Sequence, residues 1–103
     1  MKDKEELLAA IENYTIFTRR QRKLLHSLLT VANEDYKAIV TVNDLAVNSG
    51  LTPAAVYNSI KLFTKDNILQ LAVSANNKIN GFILNESRLR EIQAISNNLK
   101  KIK

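Results

Sequence analysis

Residues 18–23 read TRRQRK. Thr18 can cap a helix beginning at Arg19, which puts Arg19, Arg20, Arg22 and Lys23 in its first turns. Positive charge there opposes the helix dipole, at a cost of roughly a few tenths of a kcal/mol per residue. No acidic residue occurs between Asn13 and Asn33 to offset it. A local penalty with no partner in the segment points to an external anion. A second polar group is SANNKIN, which gathers Ser74, Asn76, Asn77, Lys78 and Asn80. Asparagine carries both a donor and an acceptor and can discriminate between polar edges, whereas lysine mainly supplies charge. The third group lies on the stretch GLTPAAVYNSIKLFTKDNIL, residues 50–69. Val56, Ile60 and Phe63 recur at helical spacing and form a stripe to be buried. Opposite them lie Ala54, Asn58, Lys61 and Lys65, with Ala55 and Tyr57 on the flanks.

Bond-making chemistry has no comparable support. His26 is the sole histidine and sits inside LLHSLL, the setting of a core or boundary residue. With one histidine and no cysteine the chain cannot assemble a zinc site or a disulfide. There is no glycine-rich phosphate loop and no serine–histidine–aspartate arrangement. Glu5, Glu6 and Glu12 fall on the wet face of an amphipathic helix. No enzymatic activity, metal, cofactor or small-molecule ligand is expected.

The elements that must position these groups follow from composition and pattern. The 103 residues suit one small domain, residues 1–103. At 46 % hydrophobic and 24 % charged, the chain can bury a core and is not of disordered composition. Only 2 glycines and 1 proline interrupt it, so helix should dominate. The start, MKDKEELLAA, is charged, and no window reaches the roughly 18 apolar residues of a membrane span. The cytoplasm is the expected location. A net charge of +5 favours a polyanionic partner.

Leu7, Leu8, Ile11 and Tyr14 mark a first helix, with acids in its first turn. Leu24, Leu25, Leu28, Leu29 and Ala32 give the second, about Arg19 to Asn33, a wide apolar face. A brief strand is expected around Ala38 to Val40. Thr41 and Asp44 fit a capping box for a short helix that ends at Gly50. Thr52 then caps and Pro53 takes the first helical position of a helix running to about Asp66. Leu69, Leu71 and Val73 alternate with Gln70, Ala72 and Ser74 as a strand does, ANNK turns, and INGFILN returns. Asn85 or Ser87 starts a last helix bearing Leu89, Ile92, Ile95, Leu99 and Ile102. The predicted class is mainly α with a small β-hairpin.

The run VTVNDLAVNSGLTPAAVYNSIKLFTKDNIL, followed by a hairpin, resembles a winged helix-turn-helix domain over about residues 19–84, with extra helices at both ends. Leu45 and Ala46 match the apolar positions of the first helix of the pair, Gly50 the tight turn, and Leu51 the plug between the helices. Asn67 stands where the family often has glycine. The resemblance implies double-stranded DNA as partner, with the second helix of the pair entering the major groove. It implies a base-reading role for Asn58, contact of Ala54 and Ala55 with a thymine methyl or close approach, and phosphate contacts for Lys61 and Lys65. It also implies that Arg19, Arg20, Arg22 and Lys23 meet phosphate, and that the wing hairpin shares or leads base readout. Two terminal helices, residues 3–14 and 87–102, are more than a small domain readily buries. Leu7, Leu8, Ile11, Leu89, Ile92, Ile95 and Leu99 are therefore expected to form a homodimer interface. The implied function is sequence-specific DNA binding, as an accessory protein at origin repeats of replication or transfer on a plasmid or other mobile element, or as a small transcriptional regulator. The competing expectation is a protein–protein adaptor without specific DNA binding.

Overall fold

The computed structural model describes residues 3–101. The described chain runs α1 (Lys4–Glu12), α2 (Arg19–Val31), β1 (Lys37–Ala38), α3 (Val42–Ser49), α4 (Pro53–Lys65), β2 (Leu69–Val73), β3 (Ile79–Leu84) and α5 (Glu86–Lys101). This is the order of elements expected from the sequence, mainly helical with a small antiparallel sheet. Ile102, the last member of the apolar series, lies outside the described residues. Among the described residues no helix is long and apolar enough to cross a membrane.

Local chemistry fixes the helix ends. Thr18 Oγ1 accepts from the Gln21 amide at 3.2 Å, and Gln21 Oε1 accepts from the Thr18 amide at 2.9 Å. Thr41 and Asp44 make the same reciprocal pair at the start of α3. Thr52 Oγ1 accepts from the Ala55 amide at 3.2 Å, behind Pro53 at the first position of α4. At the other ends, Gly50 has φ 71° and Asn67 has φ 60°. Beyond each, the chain folds back: Leu51 N donates to Ala46 O at 3.1 Å, and Ile68 N to Phe63 O at 2.8 Å. Both are helix terminations that need a left-handed residue, which asparagine supplies nearly as well as glycine. Lys4 reaches across from α1, its Nζ donating to the carbonyls of Thr30 and Ala32 at the end of α2.

The sheet order is β1-β3-β2, all antiparallel. β1 comes earlier than the expected Ala38–Val40. Asn33 Oδ1 accepts from the amides of Asp35 and Lys37, and Tyr36 takes φ 61°, so the chain enters the sheet directly after this turn. The inward alternation of β2 also breaks. Ala72 pairs with Gly81 but Val73 pairs with Ile79, which leaves Asn80 as an extra residue on β3. Such a bulge redirects the strand end. Accordingly Ala72 is buried and Val73, expected inward, is 54 % exposed. Gly81 is required by proximity, since a β-carbon there would sit 2.8 Å from the carbonyl oxygen of Ala38.

Leu24, Leu25, Leu28 and Leu29 of α2 form the floor of the core, as their spacing predicts. Leu45, Val56, Phe63, Ile68 and Phe82 close over them. Phe17, between α1 and α2, meets Phe63 with ring centroids 5.4 Å apart and Tyr14 edge-on at 4.8 Å.

The terminal helices behave differently from the dimer expectation. α1 packs on α5, and both join the core of their own chain. Leu7, Ile11, Leu89 and Ile92 are fully buried there, so they support the fold and are not exposed for a partner. Leu8 is half-buried against the same core. Ala10 and Ser96 are the small residues at the contact, where Ser96 Oγ donates to Ala10 O at 2.8 Å. The premise that two terminal helices exceed what one domain can bury fails because each covers the other. Leu99 is half-buried, and Ile95 stays 37 % exposed.

Ile92→Ala is expected to cost about 2–5 kcal/mol of stability, because it opens a cavity under the α1–α5 contact. Ile95→Ala should cost less than about 1 kcal/mol. Urea unfolding followed by circular dichroism measures both. Equal losses would mean that α5 docks through another face.

Candidate nucleic-acid interface

α4 turns one face inward and one outward. Val56, Ser59, Ile60 and Phe63 are buried. Ala54, Asn58, Lys61 and Lys65 are exposed on the other side, Tyr57 is 51 % exposed, and Ala55 is half-buried. Neither Asn58 nor the two lysines bond to any described residue, so their polar groups face solvent. Thr64, between the lysines, is spent locally, with its hydroxyl donating to the Ile60 carbonyl at 2.8 Å.

The hairpin tip divides the five polar residues expected to act together. Ser74 builds the turn. Its amide donates to the Lys78 carbonyl at 2.8 Å, its carbonyl accepts from the Asn77 amide at 2.9 Å, and its hydroxyl accepts from the Lys78 amide at 3.3 Å. Asn77 has φ 59°, the left-handed conformation that closes this turn. Both residues are therefore explained by the backbone. Asn76, Lys78 and the bulge residue Asn80 remain, with exposed side chains that bond to no described residue.

At the start of α2, Arg19, Arg20 and Lys23 are exposed and without partners among the described residues. Arg22 is half-buried, and its Nη1 donates to the Glu12 carbonyl at 3.4 Å. Arg19, Arg22 and Lys23 border a cleft of about 430 Å³ that also touches Glu12, His26, Ser27, Asn48 and Ser49. Asn48 and Ser49 end α3, one residue before the Gly50 turn into α4. The fold thus brings three of the four α2 cations beside the turn that launches the exposed helix. Arg20 is not among the cleft residues.

Between α4 and the hairpin runs a groove of about 450 Å³. Val42, Ile60, Leu71, Ile79 and Phe82 give it an apolar lining, and Tyr57, Lys61 and Lys65 border it from α4. A polyanion crossing this groove would find its cations on the α4 side.

Two acids of the neighbouring helices are occupied. Glu12 Oε1 lies 3.1 Å from His26 Nε2, and Asp44 is held in its capping box. Glu12 and His26 are the pair that sequence reasoning missed. Each belongs to a different helix, and only the packing of α1 on α2 brings them together. No helical periodicity signals such a contact.

No model of a known family, no curated protein and no solved structure matches the chain.

The division of the hairpin has a direct test. Asn77→Gly should leave stability unchanged or raise it slightly, because glycine takes φ near 60° without strain. Asn77→Val should lose about 1–2 kcal/mol. Thermal unfolding of the two variants against the parent decides this, and a neutral valine substitution would refute the backbone role.

Proposed function

We propose that the chain is a winged helix-turn-helix protein that binds double-stranded DNA with sequence preference. α4 enters the major groove, the β2–β3 hairpin acts as the wing and shares base readout, and the start of α2 meets the phosphate backbone. The observation that carries this reading is the set of exposed, unpartnered cations on the start of α2, the outer face of α4 and the hairpin tip. Arg19, Arg20, Lys23, Lys61, Lys65 and Lys78 have no internal anion among the described residues, in a chain of net charge +5. Unpaired surface cations cost a fold little, and they suit the regular charge of a duplex. Between Leu45 and Lys65 there is no acid to weaken that attraction.

Each group has its own part. Lys61, Lys65 and the α2 cations neutralise phosphate and set the position of the protein on the duplex. Asn58, Asn76 and Asn80 supply the donor and acceptor pairs that distinguish base edges. The role that follows is recognition of a defined DNA site, as a small transcriptional regulator or as an accessory protein at origin repeats.

Binding of duplex DNA should fall steeply with salt. Arg19→Ala with Lys23→Ala should reduce the slope of log affinity against log salt by roughly 0.9 for each phosphate contact removed. Fluorescence anisotropy across a salt series gives the slope, and an unchanged value would remove α2 from the interface. Asn76→Ala with Lys78→Ala should narrow the affinity ratio between a selected and a scrambled duplex. A parent protein with no such ratio would favour a protein-binding adaptor instead.

A further inference from the structure

We infer that the leading turns of α4 read A·T base pairs in the major groove, through the thymine methyl group and the adenine edge. The inference rests on the DNA-binding reading above and names the class of site it takes. The exposed and half-exposed side chains before Lys61 are Pro53, Ala54, Ala55, Tyr57 and Asn58. None carries a charge. Guanine in the major groove offers two acceptors, best met by arginine or lysine, and cytosine offers a donor, best met by a carboxylate. The leading turns of α4 hold neither kind of group.

What they do hold suits the two bases of A·T pairs. Asparagine can bond the adenine N6 and N7 groups together, and alanine is suited to pack on the C5 methyl of thymine. Asn58 is exposed and bonds to no described residue, so both ends of its amide are free. Ala54 lies one turn before it on the same face. The rise between them is about 6 Å, under two base-pair steps of about 3.4 Å. The methyl contact and the adenine contact therefore fall about two base pairs apart. Short side chains also let the start of the helix sit deep in the groove, which a longer residue at position 54 would prevent. Cations flank it: Lys61 and Lys65 follow on α4, and Arg19, Arg22 and Lys23 border a cleft at the end of α3, just before the turn into α4.

Replacing thymine by uracil in a duplex removes only the major-groove methyl and leaves the minor-groove edge as it was. The experiment compares three short duplexes at low salt by fluorescence anisotropy. One is of mixed A·T sequence, the second has every dT replaced by dU, and the third has every A·T pair replaced by G·C. The dT duplex should bind more tightly than the dU duplex by about 4-fold for each methyl buried, and the G·C duplex should be the weakest. In a protein with Ala54→Ser and Ala55→Ser, the dT/dU ratio should fall towards one. Asn58→Ala should keep that ratio while reducing the preference for A·T over G·C. Asn76→Ala on the hairpin should leave the ratio untouched. Equal affinity for dT and dU duplexes overturns the inference and leaves DNA binding standing. A ratio that survives the serine substitutions overturns the assignment to Ala54 and Ala55. Failure to bind any of the three duplexes overturns the DNA-binding reading itself.

Discussion

The arrangement depends on how firmly α4 is held by one face. Val56, Ile60 and Phe63 are buried against the leucine floor of α2, and this fixes the rotation of the helix about its axis. Its ends are fixed separately. Gly50, just before the Thr52 cap, and Asn67, just after Lys65, each adopt the left-handed conformation and turn the chain sharply. Rotation, entry and exit are thus set by three independent constraints. Whatever stands on the opposite face is presented in one orientation, and Ala54, Asn58, Lys61 and Lys65 occupy that face.

Electrostatics then separates residues that serve the fold from residues that do not. Lys4 caps the end of α2, Arg88 donates to the Asp66 carbonyl at 3.2 Å, and Arg90 lies 3.5 Å from both Asp3 and Glu86. These cations are used internally and join α1 and α5 to the rest. The cations of α4, the hairpin tip and most of the α2 start are not. The chain has acids available for pairing, yet Glu12 goes to His26 and Asp44 to a helix cap. A surface ion pair contributes little stability, so leaving these cations unpaired sacrifices almost none. Their distribution is therefore informative about partners in a way that their number alone is not.

Much of the local structure was legible in the sequence, and the reasons are physical. Caps and turns depend on a few adjacent atoms. Thr18, Thr41, Thr52, Gly50, Pro53 and Asn67 could therefore be assigned by residue type, and the helix periods identified the faces of α2 and α4. Less legible was anything set by contact between distant segments. The mutual burial of α1 and α5 depends on Ala10 meeting Ser96, which no periodicity reveals. The bulge at Asn80 adjoins Gly81, whose backbone passes close to Ala38 of a distant segment. The site divided along the same line. Its α4 residues were readable from the helical wheel. Ser74 and Asn77 were placed with the reading residues because a polar turn residue and a polar recognition residue look alike until backbone dihedrals and hydrogen bonds are known.

Under the proposed DNA-binding reading, that ambiguity bears on how specificity would be shared between helix and hairpin. With Ser74 and Asn77 committed to the turn, the hairpin keeps Asn76, Lys78 and Asn80 for contact, on a tip whose shape is set by a three-bond turn and a bulge. The helix keeps one amide and a short apolar front. Neither surface alone has the donors and acceptors to specify a long site. They differ in what limits them. The helix is rigidly placed but chemically sparse, whereas the hairpin tip is richer in amides but carried at the end of two strands. Rigid placement favours contacts that need close fit, such as a methyl against an alanine. An exposed tip favours hydrogen bonds and charge, which tolerate small shifts. The chemistry found on each surface is the kind its mechanical support can use.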